Sequence, residues 1–257
     1  MLFRSKGLLS VKLYRPQDML VSDAVLAQLK KMQKAYKVAG TSDNRTVVRE
    51  CQTIVLAVKP QIIDQVLGEI QPEVNKNKLF ISIAAGVPLR RLENGLGGNV
   101  RVVRVMPNTP ALLGKGIAVV VRGSKAKPQD EKLALTMFRG VGEALAVKDE
   151  ACMDPVTGLS GSGPAYVYLF AEALIHGGVQ EGLDAKVATR LAYETIEGAV
   201  AMLKETGRSP KELRDMVTSP GGTTLAGLSR LAEGKFSETV SAAVRAATRR
   251  SKELGQG

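Results

Sequence analysis

Residues 52–70 read QTIVLAVKPQIIDQVLGEI, and this stretch decides the fold. Its first part is a compact apolar run rich in β-branched residues, as a strand buried on both faces requires. Pro60 ends the run and opens a segment whose apolar residues recur at helical spacing. A buried strand feeding directly into a helix is one βα unit. The same grammar extends in both directions. DMLVSD (18–23), KLFISIAAG (78–86), NVRVVRVMP (99–107) and GIAVVVRG (116–123) are further apolar runs stopped by Gly, Pro or Asp. AVLAQLKKMQKAY (24–36) and PLRRLENGL (88–96) are helix patterns between them. The alternation predicts consecutive βα units with their strands in a parallel, doubly wound α/β sheet over residues 1–149.

At Glu150 the pattern changes. From there to Gly257 only helix patterns remain, divided by Gly and Pro, so residues 150–257 are expected to form an all-α domain. Its first long helix, around Pro164 to Gly182, is apolar on nearly every face from Ala165 to Ile175. One small domain cannot cover such a helix, and a partner subunit is expected to do so.

Bulk properties narrow the function. The 257 residues suit two modest domains or one large one, and no apolar run reaches the length of a bilayer helix. Cys51 and Cys152 form no metal or redox spacing. The single histidine, His176, lies inside a helix pattern, where a packed structural role is expected, and no metal site is predicted. The net charge of +11 raises nucleic-acid binding, but the basic residues are scattered among acids and along helix faces. Trp is absent, and only five Tyr and five Phe are available for base stacking. Attraction of an anionic substrate and cofactor accounts for the charge as well.

Chemistry is expected at the carboxyl ends of the strands, where open parallel sheets bind ligands. Three such ends carry turn-rich loops: AVKP (57–60), AAG (84–86) and MPNTP (106–110). Lys59 suits a phosphate or a ribose, or is a surface lysine before a helix-starting proline. Ala84, Ala85 and Gly86 let a flat cofactor reach the backbone, or serve tight strand-to-helix packing. Asn108, between Pro107 and Pro110, is held for presentation to a ligand or belongs to a plain turn. GLSGSGPAYVY (158–168) opens the long helix with Gly161, Ser162 and Gly163; it follows no strand, so it reads as a helix cap rather than a nucleotide loop.

TSPGGTTLAGLSRL (218–231) sets a Ser, a Pro, two Gly and two Thr directly before a helix pattern. Ser and Thr are the usual capping residues, which gives one reading. The other is an anion site, because the first turn of a helix offers unpaired N–H groups at the positive end of its dipole. The two glycines would let a carboxylate or phosphate approach that bare backbone. No carboxylate pair, Ser/His/Asp set or metal cluster accompanies these motifs, so side-chain acids and bases are not the main instrument.

Taken in order, GLLSVKLYRPQDMLVSD (7–23), LAVKPQIIDQVL (56–67), ISIAAGV (81–87), RVMPNTPALLGKG (104–116), GLSGSGPAYVY (158–168), AMLKETGRSP (201–210), DMVTSPGGTTLAGL (215–228) and RAATRRSKEL (245–254) resemble the pyrroline-5-carboxylate reductase family along nearly the whole chain. The resemblance implies a Rossmann-type domain followed by an all-α dimerisation domain, forming homodimers that can assemble into rings. It implies NAD(P)H-dependent reduction of 1-pyrroline-5-carboxylate to L-proline, the last step of proline biosynthesis, in the cytoplasm or an organelle, with no nucleic-acid or membrane partner. The substrate carboxylate would lie on Ser219, Gly221, Gly222 and Thr223. Thr224 would hydrogen-bond the ring nitrogen as the catalytic residue. Cofactor contacts would fall on Ser22, Asn44, Ala57, Val58, Lys59, Ala84, Ala85, Gly86, Asn108, Ser162 and Gly163. Asp23 after the MLVS strand suits the ribose hydroxyl of NAD (NADH), whereas Ser22 and nearby lysines leave room for the 2′-phosphate of NADP (NADPH).

One departure qualifies the match. No G-x-G-x-x-G follows a strand anywhere in the chain, and SKGLLSVKLYRP (5–16) reads as the end of a first helix and the turn into a second strand. The first strand, central in the usual order, is then missing. The expectation is a shortened Rossmann-type sheet with two unpartnered edges and poor dinucleotide binding. Two other functions fit such a chain: a non-catalytic scaffold subunit that keeps the helical dimer, and a reductase of another imine or of a β-hydroxy acid.

Overall fold

The computed structural model describes residues 14–256. The chain divides into two compact units, Met1–Ser162 with Arg245–Gly257, and Gly163–Val244. The expected division at residues 149 and 150 and this one differ in where they place residues 150–162 and the last turns of the chain.

In the first unit, β1 (Leu20–Ser22) pairs in parallel with β2 (Ala39–Thr41). A second sheet has the order β3 (Thr53–Leu56), β4 (Leu79–Ser82), β5 (Arg101–Pro107), β6 (Gly116–Arg122) and β7 (Gly142–Ala146). Strands β3, β4 and β5 run parallel, so their carboxyl ends share one edge. In the usual doubly wound order, the strand between β1 and β3 is the first one. Among the described residues β1 pairs only with β2, and β3 only with β4. The expectation that residues 1–10 supply neither that strand nor a glycine loop lies outside the described residues.

Helices α1 (Leu26–Tyr36), α2 (Asn44–Glu50), α3 (Ile63–Ile70), α4 (Leu89–Gly95) and α5 (Pro128–Arg139) complete the wrapping. Successive strand residues point to opposite faces of a sheet, and the two cores follow that alternation. Phe80 and Val102 pack with Val48, Ile63, Leu67 and Leu92 on one side. Ile81 and Val103 pack with Ala134, Met137 and Phe138 on the other. Each helix presents one apolar face to the sheet, which is why the strands read as continuous apolar runs.

One expectation needs correction. β6 runs antiparallel to β5, with Pro107 opposite Ala118. A parallel neighbour needs a crossover of a dozen or more residues. The connection here holds only the short 3-10 turn Thr109–Leu113, which turns the chain back on itself. β7 then runs parallel to β6 after α5.

The segment after β7 winds through α6 (Met153–Val156) and a π turn, Thr157–Gly161. The second unit holds α7 (Gly163–Gln180), α8 (Ala185–Glu205), α9 (Pro210–Met216), α10 (Thr223–Glu233) and the start of α11 (Phe236–Gln256). Asp184 caps α8 by accepting from the Lys186 and Val187 N–H groups. Ser209 and Glu212 close α9 as a reciprocal capping box. Only three alanines, Ala171 of α7 and Ala188 and Ala192 of α8, are buried there. Among the described residues, no helix is long and apolar enough to cross a membrane.

Candidate active site

The start of α10 answers the question its sequence posed. Gly222 occupies the N-cap position at φ −79°, and no side chain caps the helix. Ser219, Thr223 and Thr224 are therefore not spent on capping, and the ordinary-cap reading falls away. Gly221 adopts φ +69°, the left-handed region that glycine enters without a Cβ penalty. Gly222 leaves the space that a Cβ would take from Ser219 Oγ, and its N–H donates to Ser219 O at 3.0 Å. The result is a tight turn that exposes the first N–H groups of α10, the donor set an anion requires. Thr224 is half-buried on the first turn, beside those groups.

The α/β unit gathers most of the remaining candidates along the carboxyl edge of its strands. Ala57, Val58 and Lys59 follow β3. Lys59 is exposed, and its carbonyl accepts the Ile62 N–H as Pro60 starts a 3-10 turn. Ala84, Ala85 and Gly86 follow β4, with Gly86 at φ +74°. Ser82 Oγ accepts the Ala84 N–H at 3.4 Å, and the Val87 N–H turns back to Ala84 O. Small side chains and one left-handed glycine keep this loop low, so a planar ring can lie against its backbone.

Asn108 follows β5, and its amide is already engaged at both ends. Oδ1 accepts the Ile117 N–H at 3.0 Å, while Nδ2 donates to Ser160 O at 3.2 Å. The side chain thus ties β5 to the start of β6 and to the π turn. Gly161 in that turn has no Cβ because the Met106 methyl occupies its place. Ser162 closes the turn by donating its N–H to Thr157 O, and Gly163 begins α7.

Ser22 ends β1, and its Oγ donates to Asn44 Oδ1 at 2.6 Å. Asn44 Nδ2 donates in turn to Glu69 Oε2, and Asp43 caps the helix on which Asn44 sits. Asp23 Oδ1 accepts the Val25 N–H at 2.9 Å, closing its own turn. His176, expected in a packed role, is instead exposed on α7 in the single chain, where it lines a groove with Tyr168, Glu172, Tyr193 and Glu197. Burial pushes the Cys51 thiol up, which keeps it protonated and unreactive.

Sequence reading missed Glu150. Its Oε1 accepts the N–H of Leu89, the first residue of α4, at 2.7 Å, and so caps a helix whose N-cap residue is Pro88. Pro88 offers no capping side chain, which was the one local hint that a distant partner was needed.

A doubly wound sheet with low, small-residue loops on its carboxyl edge, followed in the chain by helices with an anion-receptive start, is the plan of a dinucleotide-dependent oxidoreductase. Residues 150–254 match the family described as pyrroline-5-carboxylate reductase dimerisation, and residues 5–86 match the one described as NADP oxidoreductase coenzyme F420-dependent. Pyrroline-5-carboxylate reductase of Methanosarcina acetivorans is 44% identical over 98% of this chain and 93% of its own. That of Arabidopsis thaliana is 44% identical over 87% of this chain and 80% of its own. The crystal structure of Plasmodium falciparum pyrroline carboxylate reductase with NADP bound superimposes with a TM-score of 0.90 at 35% identity, covering 98% of this chain and 93% of that one. The chain belongs to the pyrroline-5-carboxylate reductase family.

Proposed function

We propose that this chain catalyses the NAD(P)H-dependent reduction of 1-pyrroline-5-carboxylate to L-proline, the last step of proline biosynthesis. The observation that carries the reading is the uncapped start of α10 behind Gly221 and Gly222. The N–H groups there, with Ser219 and Thr223, hold the substrate carboxylate. The Thr224 hydroxyl hydrogen-bonds the ring nitrogen and fixes the face that the C=N carbon presents. When bound, the cofactor supplies a hydride to that carbon. Because an iminium carbon is already electrophilic, alignment supplies most of the rate, and no strong general base is needed. This fits a site built from backbone, glycine and threonine.

The residues on the sheet edge fit a nicotinamide dinucleotide. Ala84, Ala85 and Gly86 make the flat seat for the ring. Ala57, Val58 and the exposed Lys59 line the neighbouring strand end, with the Asn108, Ser162 and Gly163 backbone beyond. Ser22 and Asn44 meet the adenosine ribose. Asp23 Oδ1 turns to the Val25 N–H, and Ser22 with the nearby lysines leaves room for a 2′-phosphate, which favours NADPH over NADH. Residues 1–149 form the dinucleotide-binding part and residues 150–257 the dimerisation and substrate part. The protein works in the cytoplasm as a homodimer gathered into a ring of dimers, without nucleic-acid or membrane partners.

Thr224→Val removes the hydroxyl and keeps the shape. Losing one hydrogen bond to substrate costs about 1 kcal/mol or somewhat more, hence a roughly fivefold to tenfold fall in kcat/KM for pyrroline-5-carboxylate. NADPH affinity and the melting temperature should be unchanged. Steady-state kinetics with wild-type kcat/KM in this variant would remove Thr224 from the reacting site.

A further inference from the structure

Behind the Ala84–Gly86 loop lies a part-buried polar chain with no part in the contacts assigned so far. Arg104, on β5, is 4% exposed. Its Nη1 donates to Glu150 Oε1 at 2.8 Å, and its Nη2 lies 3.9 Å from Asp154 Oδ1. Glu150 Oε1 also receives the Leu89 N–H that begins α4. Asp154 Oδ1 accepts the hydroxyl of Ser251 at 2.6 Å, and Ser251, on α11, is 3% exposed. The chain therefore runs from the helix that follows the loop, through a buried guanidinium, to the last turns of α11.

Those turns press on the loop itself. A Cβ built on Gly86 would sit 3.0 Å from Ser251 O and 3.0 Å from Leu254 Cβ, and one built on Gly255 would sit 2.6 Å from Gly86 O. Arg91 Nη1, on α4, donates to Leu254 O at 3.4 Å. Gly86 is thus fixed from behind by backbone. Apolar residues of similar size could hold α11 down at no desolvation cost, so burying the Arg104 guanidinium beside carboxylates that stay 31% and 21% exposed is a poor device for stability alone. Directional hydrogen bonds set a register that apolar contact does not.

We propose that Ser251 and Asp154 are positioning residues for the cofactor: their hydrogen bond sets the last turns of α11 against Gly86, so that the loop backbone is held ready for the nicotinamide. The inference rests on the reading of Ala84–Gly86 as a cofactor contact. A loop left to find its own position must be ordered on binding, which weakens cofactor affinity without touching the substrate carboxylate site.

The test measures NADPH affinity of the full chain by fluorescence or calorimetry, together with steady-state kinetics. Ser251→Ala and Asp154→Ala should each raise the NADPH Kd and KM about fivefold, leaving kcat and the KM for pyrroline-5-carboxylate unchanged. The double variant should be no worse than Asp154→Ala alone, because that change already removes the Ser251 bond together with the Arg104 ion pair. Asp154→Asn, which keeps Oδ1 for the Ser251 hydroxyl, should stay near wild type. Ala85→Leu, which fills the ring's seat, should weaken NADPH binding strongly. If Ala85→Leu does so while Ser251→Ala and Asp154→Ala bind NADPH normally, or their effects simply add, the positioning role is wrong. An unchanged NADPH Kd in Ala85→Leu would instead remove the loop from the cofactor site, and the proposal with it.

Discussion

Replacing Leu169 and Leu191 together by Arg is expected to turn a dimer of this protein into a poorly folded monomer. Val167, Tyr168, Leu169 and Phe170 are consecutive on α7 and are 48%, 62%, 66% and 38% exposed in the single chain. Consecutive helical residues point about 100° apart, so no single face of α7 gathers its apolar side chains. On α8, Val187, Leu191 and Tyr193 are exposed as well. Alanines alone are buried on α7 and α8, and they remove too little apolar area from water to stabilise five helices. On the proposed homodimer a second copy supplies the missing core, and the match of residues 150–254 to a dimerisation domain supports that reading. Each leucine withdrawn from such an interface costs about 1.5–3 kcal/mol, and each buried unpaired guanidinium costs several more. The summed loss exceeds about 5 kcal/mol, or more than a thousandfold in dimer affinity. Sedimentation equilibrium at micromolar concentration should give an even multiple of the chain mass for the wild type, twice or more as dimers gather, and a single chain for the variant, with a broadened melting transition. A well-folded wild-type monomer at that concentration would sink the assignment.

The helical half could be read from sequence because its signals are local. Gly, Pro and capping residues mark each end, and the Ser209–Glu212 box lies within one helical turn. The five expected strands appear where their apolar runs fall, since burial on both faces leaves no room for polar residues. What escaped is of two kinds. β2 (AGT) and β7 (GEALA) are short and hold a single β-branched residue between them, so neither carries a β-branched run. The direction of β6 depended on the length of a connection, and an apolar run reads the same in either direction.

The candidate site was legible in the same uneven way. A helix start with two glycines announces an anion site because the donors are backbone and the signal is contiguous. The sequence could not tell whether Ser219 or a Thr would cap α10. That depended on Gly221 entering the left-handed region and shifting the N-cap to Gly222. Asn108 reads as a ligand contact or a plain turn, and its amide bonds Ile117 and Ser160, contacts made by folding. Glu150, Arg104 and Asp154 gave no sign, because each partner comes from a different element.

Gly221→Val is expected to give the largest catalytic loss of any single change at the helix start. At φ +69° a non-glycine residue is strained by roughly 1–2 kcal/mol, and a β-branched one is worst placed to bear it. A Cβ at this position meets nothing within 4 Å, so the variant should fold and the cost should appear in the turn. Two responses are open to the chain. If the strained turn persists, the isopropyl group stands over the N–H groups that receive the carboxylate. If the backbone relaxes to negative φ, Gly222 rotates and the first N–H groups of α10 no longer converge. Either way a charge-assisted hydrogen bond to the substrate, worth about 1.5–3 kcal/mol, is lost or lengthened. That loss alone predicts a fall in kcat/KM for pyrroline-5-carboxylate of roughly tenfold to a hundredfold. NADPH affinity should stay near wild type, because no cofactor contact is assigned to the turn before α10. The two readouts separate a damaged substrate site from a damaged fold: loss of both would indicate misfolding, and circular dichroism and sedimentation would show it. Wild-type kcat/KM in a well-folded Gly221→Val protein would mean that the substrate carboxylate does not bind at the start of α10.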